Sequence, residues 1–370
     1  MVGERPAPTE RPAYAFPGPL RAAALGGNSV AARAPAAKNA GMPAVLPPRL
    51  RPGDLLRVVA PSWSLSNISP SNRAAANRRL AELGLRVSFG AHVEECDPFA
   101  SSSVASRVAD LHDAFADPQV AGVLTVIGGF NSGELLPRLD WELIGANPKV
   151  LCGYSDITAL QCATLARANL VTYSGPHWSS FAMQRHFEPT LRWFLDCLFG
   201  GEPLDLEPSG WWSNDEWYLD QDDRQLLPNE GWWVLAEGRA SGPIVGGNLS
   251  TVALLHGTPF MPPLEGAVLF LEDDHESRPW HFARQLTALL QQPGAEAVTG
   301  LVVGRFERAS GMTRELLELL VRSQPALRGR PVIANADFGH TDPMRTFPIG
   351  GEVELEAGPG DQAAIRITRH

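Results

Sequence analysis

The sequence predicts an α/β protein of two domains, on three observations. From Leu50 onward, short apolar runs alternate with segments whose apolar residues recur at helical spacing. One run, 120–127, is almost continuously apolar, the pattern of a strand buried on both faces of a parallel sheet. A stretch rich in Trp, Asp, Glu, Pro and Asn, 201–240, breaks the alternation, which resumes from Gly242. The expected architecture is an N-terminal doubly wound parallel sheet of the flavodoxin-like kind plus a smaller C-terminal α/β domain. The bounds are 49–180 and 242–370, with 181–241 as linker and Trp-rich insert.

The first strand is 55–60, stopped by Pro61-Ser62. Residues 71–84 carry an Ala/Leu face and close on Gly84, a helix with a glycine stop. A strand around 85–89 follows. The next helix, 102–116, puts Val104, Val108, Leu111 and Phe115 on one side. Strand 120–127 ends in Gly128-Gly129 and leads to a helix over 131–138. Strand 149–152, helix 156–168 and strand 170–174 complete the first series. The second has strand 267–271, helix 277–291, strand 298–303, helix 313–322, strand 331–334 and a terminal pair, 352–357 and 363–368. Trp232 and Trp233, beside a returning strand 232–236, are expected to be structural.

The first 48 residues are rich in Ala, Pro and Gly and lack apolar periodicity, the composition of a disordered extension. Over 1–52, Arg5, Arg11, Arg21, Arg33, Lys38, Arg49 and Arg51 outweigh Glu4 and Glu10, so the acidic balance falls on the rest of the chain. A formal net charge of -10 argues against a nucleic-acid partner, whose phosphates need clustered Lys and Arg. No apolar run reaches the length of a membrane span. Cys96, Cys152, Cys162 and Cys197 are widely spaced, with no CxxC pair and no zinc spacing. Reduced thiols in a cytoplasmic protein without a metal site are the expectation.

Residues 150–160 carry the chemistry. An apolar strand runs into a tight turn bearing Ser155, then a helix. Such a turn exposes the hydroxyl beside unpaired N–H groups at the helix start, as a serine nucleophile requires. Helix capping is the competing role for a serine there. Cys152 sits inside the strand and is expected to be a buried small side chain. Two further residues stand just after strands: Glu272, in an acidic cluster with Asp273, Asp274 and Glu276, and His340, in the loop Phe338–Met344. A carboxylate can fix the tautomer of a histidine that serves as base. Gly128 and Gly129 could form an oxyanion pocket with the Asp156 N–H, or simply a strand-to-helix turn. They are no dinucleotide fingerprint, and no cofactor is expected. Gly246–Ser250 resembles a phosphate turn but lacks the Lys of a P-loop.

Taken in order, Leu50–Asp54, Ile127–Ser132, Gly153–Asp156, Gly246–Ser250, Phe270–Asp273 and Gly339–Met344 resemble the LD-carboxypeptidase family of serine peptidases. Within it they resemble the microcin C self-immunity peptidases. The resemblance implies Ser155 as nucleophile, His340 as base and Glu272 as its orienting acid. It implies an oxyanion hole from Gly128, Gly129 and Asp156, no metal, and a homodimer. The triad order also occurs in α/β-hydrolases, but their G-x-S-x-G elbow is absent, since Ile157 follows Asp156. The substrate is expected to be a peptidyl or aminoacyl group joined to a nucleotide, with a murein tetrapeptide as the alternative and a non-catalytic ligand-binding protein on the same fold as a further one. A purine needs an aromatic platform, which Trp212 and Trp217 could supply, and Asn131 and Asn248 are expected to line the site.

Overall fold

The computed structural model describes residues 43–370. The expected extension therefore lies, over 1–42, outside the described residues. Residues 43–48 are not part of any loose extension. Val45 pairs with Leu170, Ala44 is buried, and Leu50 just beyond is fully enclosed. Their burial beside the last strand of the first sheet moves the start of the folded chain earlier than the expected 49.

The first series is β1 (Leu55–Val59), α1 (Pro70–Glu82), β2 (Arg86–Phe89), α2 (Val104–Ala116), β3 (Val120–Thr125), α3 (Trp141–Ala146), β4 (Val150–Gly153), α4 (Thr158–Ala168) and β5 (Thr172–Ser174). Side chains at the helix starts take up otherwise unpaired N–H groups: Ser69 ahead of Pro70 for α1, Ser103 for α2, Asp140 for α3. The expected helix at 131–138 is a 3-10 turn, Ser132–Arg138, because Pro137 removes a donor within it. The first-series strands lie in the order β2-β1-β3-β4-β5, parallel to one another, and a sixth, antiparallel strand from the C-terminal half completes the sheet beside β5. β1 and β3 wind away in opposite directions, and the crevice at their C-terminal ends is where doubly wound sheets bind ligands.

After α5 (Glu188–Leu198) come β6 (Leu204–Leu206), the small pair β7 (Trp211–Trp212) and β8 (Leu227–Pro228), then β9 (Trp233–Ala236) and the long β10 (Gly238–Asn248). α6 (Leu249–Ala253), β11 (Val268–Glu272), α7 (Pro279–Leu289), β12 (Gly300–Gly304), α8 (Arg314–Ser323) and β13 (Val332–Ala336) continue the chain. It ends with β14 (Phe347–Ile349), β15 (Glu352–Ala357) and β16 (Ala363–Arg369). The second sheet runs β6-β16-β15-β10-β11-β12-β13-β9, parallel at its centre and antiparallel at its flanks. Both edge strands come from the 181–241 segment. That segment is thus part of the sheet as well as an insert, and the C-terminal sheet is the wider of the two.

The two sheets are sewn together. β14 leaves the C-terminal half to pair antiparallel with β5. Gly350 and Gly351 exchange backbone hydrogen bonds with Ile244 in β10. The Asn248 N–H donates to Thr158 Oγ1 at the start of α4, at 3.0 Å. Gly247 makes that approach possible, since a Cβ there would lie 2.5 Å from Thr158 Oγ1. Leu160 and Ala163 of α4 share one apolar core with Val245, Leu249 and Val252.

Candidate active site

Ser155 stands where β4 ends. Tyr154 is still extended, at φ -147°. Ser155 then enters the left-handed region, φ +61°, before the turn Ser155–Ile157 leads into α4. That conformation costs an L-residue about 1–2 kcal/mol, and it turns the hydroxyl out of the sheet. Gln161, one turn into α4, donates to the carbonyls of Gly153 (2.9 Å) and Tyr173 (2.6 Å) and holds the strand end in place.

The neighbouring turn, after β3, is tied to this one. Ser132 N–H donates to the Asp156 carboxylate at 2.8 Å, and Ser132 Oγ donates to the Asp156 carbonyl at 2.7 Å. Gly128 lies directly over Ser155: a Cβ on it would be 3.1 Å from Ser155 Oγ. Gly129 has φ +149°, and a Cβ there would meet Ser62 Oγ at 2.2 Å. Ser62 Oγ accepts from Phe130 N–H and donates to Asn131 Oδ1, bracing the turn from β1. Among the described residues, the N–H groups of Gly128, Gly129 and Asp156 have no protein acceptor. Such donors can receive a developing oxyanion.

Glu272 ends β11 and is almost wholly buried. Its Oε2 is 2.7 Å from His340 Nδ1. Clearance for this pair comes from two glycines: a Cβ on Gly304 or Gly339 would come within 3 Å of the Glu272 side chain. With Nδ1–H donating to the carboxylate, Nε2 is left as a proton acceptor. Burial pulls the imidazole pKa down. Glu272, by charge and hydrogen bond, with Asp274 and Glu307 behind it, overrides burial and raises it to about 9. The Tyr154 ring stands between two imidazoles, 5.1 Å from that of His340 and 4.3 Å from that of His177. The two halves of the chain thus meet at the Ser155 turn. Ser155 Oγ itself makes no hydrogen bond among the described residues, so the contact from serine to His340 is not closed in this geometry.

Other expected residues divide. Asn131 is at the site, but its Oδ1 is already engaged by Ser62 and Ser101. Asn248 is engaged within the protein. Its Oδ1 caps α6 by accepting from Thr251, and its Nδ2 donates to Asp273, so the buried side chain is committed to the fold. Trp212 is half-buried, with the guanidinium groups of Arg305 and Arg308 5.6 and 6.0 Å from its ring centroid. Its neighbour Ser213 bridges to Asp342, two residues from His340. Trp217 packs against the core of the first sheet and meets Tyr218 edge-on. Cys152 is enclosed, and burial pushes its thiol well up, away from the reactive thiolate.

His177 could line a site by its sequence, but nothing there singled it out. It is buried, its Nδ1 is 2.8 Å from Thr125 Oγ1, and burial, then the nearby His340, pull it down to about 3. It stays neutral at any working pH. Its position just past a parallel strand was the available signal. Glu307 was missed too. Burial raises its carboxyl, opposed by His340 and His275, and its position just past the parallel strand β12 was the same available signal.

Comparison with known proteins supplies the family. A model of the LD-carboxypeptidase N-terminal domain matches residues 56–175, and one of the LD-carboxypeptidase C-terminal domain matches 241–355. A Bacillus subtilis (strain 168) protein named as a carboxypeptidase, YocD, is 45% identical over 322 residues, covering 87% of this chain and 99% of that protein. A crystal structure of an MccF-like protein from Bacillus anthracis str. Ames superposes with a TM-score of 0.87 at 48% identity, covering 88% of this chain and 100% of that one. MccF in complex with glutamyl sulfamoyl guanosine gives a TM-score of 0.79 at 25% identity, covering 88% and 98%.

Proposed function

The chain belongs to the LD-carboxypeptidase family of serine peptidases, and on that premise we propose a Ser155–Glu272–His340 triad that cuts the bond between a peptidyl or aminoacyl group and a nucleotide-like moiety. The observation that carries the substrate class is Trp212. Its ring lies beside the exposed Arg308 and is fastened through Ser213 to the His340 loop. An aromatic face next to a guanidinium suits a purine nucleotide, one stacking on the base and the other meeting its anionic linker. The MccF structure holding glutamyl sulfamoyl guanosine supports the same class.

In the proposed mechanism Ser155 Oγ attacks the scissile carbonyl carbon as its proton passes to His340 Nε2. Glu272 stabilises the imidazolium and holds its orientation. The N–H groups of Gly128, Gly129 and Asp156 receive the oxyanion. Collapse expels the leaving group, which takes the proton from His340, and leaves the acyl group on Ser155. Water, deprotonated by His340, then repeats the cycle and restores the serine. We place the enzyme in the cytoplasm as a homodimer, with reduced thiols supporting the compartment.

The test is a three-substrate panel: an aminoacyl sulfamoyl adenosine, a murein tetrapeptide and a simple aryl ester. Trp212→Ala should raise KM for the first by about five- to 150-fold, the equivalent of a stacking loss of ~1–3 kcal/mol. Cleavage of the tetrapeptide with none of the adenylate would replace this reading with a murein LD-carboxypeptidase.

A further inference from the structure

Three aromatic side chains stand exposed around the Gly128-Gly129 turn. Phe99 is 67% exposed, Phe130 55% and Trp63 38%. The phenyl rings of Phe99 and Phe130 meet edge to face, 6.3 Å apart. Trp63 lies against Gly129, where a Cβ would be 3.1 Å from its Cδ1. Leaving this much aromatic surface in water is unfavourable, and large exposed apolar patches mark places that something covers.

The patch is rigidly mounted. Trp63 N–H donates to the Gly128 carbonyl at 3.2 Å, and Ser64 N–H to the Ala100 carbonyl at 2.8 Å. Ser101 Oγ donates to the Ser62 carbonyl at 2.7 Å, and Phe99 N–H to Asp97 Oδ1 at 2.8 Å. The loops after β1, β2 and β3 are therefore one bonded unit with the candidate oxyanion turn. Whatever covers the rings is continuous with whatever sits on Ser155.

The mechanism says which part of the substrate that is. His340 returns its proton to the leaving group, so the leaving group lies on the His340 side, with Trp212. The acyl group has its carbonyl oxygen at Gly128 and Gly129 and is left to that turn's own flank. We propose that Trp63, Phe99 and Phe130 form an apolar subsite for the side chain of the residue that donates the scissile carbonyl, making the enzyme selective for aromatic and large aliphatic acyl groups. This rests on the proposed acyl-nucleotide activity and adds the acyl specificity to it.

The experiment compares kcat/KM for phenylalanyl, alanyl and aspartyl sulfamoyl adenosine, with wild type, Phe99→Ala and Phe99→Leu. Wild type should favour the phenylalanyl compound over the alanyl one by about tenfold or more. Phe99→Ala should shrink that ratio several-fold, chiefly through KM, and Phe99→Leu should restore most of it. Phe99 is mostly exposed, so the variants fold. Equal efficiency on all three substrates refutes the subsite and leaves the parent activity standing. Cleavage of none refutes the parent reading and the subsite with it. A preference unchanged in Phe99→Ala, with a halved mass in sedimentation, assigns the patch to a second copy of the chain and overturns the proposal.

Discussion

Glu272→Gln tests the proposed triad by moving a pH profile as well as a rate. In the wild type the carboxylate 2.7 Å from Nδ1 outweighs burial and holds His340 at about 9, against an ordinary 6.5. That difference corresponds to roughly 3 kcal/mol in favour of the imidazolium. A base acts only when deprotonated, so kcat/KM should rise with pH up to about 9 in the wild type. At pH 6.5 only about one molecule in 300 then has the free base. Glutamine keeps the shape and removes the charge. Burial remains and now prevails, so the acid limb should fall below the ordinary imidazole range. The amide can also donate to Nδ1, which puts the proton on Nε2 and leaves no base toward Ser155. The loss at pH 9 should therefore reach ~10³–10⁴ in kcat. It should narrow by about two orders of magnitude at pH 6.5, where the wild type is itself mostly protonated. Stopped assays across pH 5–10 measure both. An acid limb that stays at the same pH in the variant would refute the ion pair as the source of the raised pKa.

The same pair links to stability: a raised imidazole pKa contributes stability in full below about 6.5 and loses it as pH climbs through about 9. The wild-type melting temperature should accordingly fall relative to Glu272→Gln over that window. Ser155→Ala should abolish turnover and leave melting unchanged, whereas Ser155→Gly should abolish turnover and raise stability by about 1 kcal/mol, because glycine accepts φ +61° without strain. Equal melting of the two variants would deny the strain. Arg224→Ala breaks a buried pair with Asp215, 2.8 Å away, and leaves Asp342 without its 3.4 Å partner, which should cost about 3–5 kcal/mol in denaturant unfolding. Leu50→Ala should cost about 2–5 kcal/mol in denaturant unfolding, since Leu50 is fully buried, and a change below half a kcal/mol would deny that burial.

Much of this protein could be read directly. The alternation of buried strands with helices survives as β1 to β5, because a strand covered on both faces must be apolar throughout and a surface helix must show its 3.6-residue stripe. The Ser155 turn could be read for a related reason: a strand, one small polar residue and a helix start are local, and their geometry depends on neighbours in the chain. Glu272 and His340 were nameable from their places just after strands, but their 2.7 Å contact joins the end of β11 to the loop beyond β13, with β12 between the two strands, and so depends on the order of the assembled sheet. Other features had no local signature. β14 lacks any amphipathic pattern, and its partner β5 lies in the other half of the chain. β10 is interrupted by Gly238, Gly242 and Gly246, each at positive φ, so its length is hidden in a glycine-rich run. The sequence could not say that Asn248 caps α6 and bonds to Asp273, or that the His177 ring lies against that of Tyr154. Composition and periodicity decide which segments are buried and in what form. Which polar atom finds which partner is decided only when distant strands close to within about 3 Å, where hydrogen bonds and burial select one arrangement.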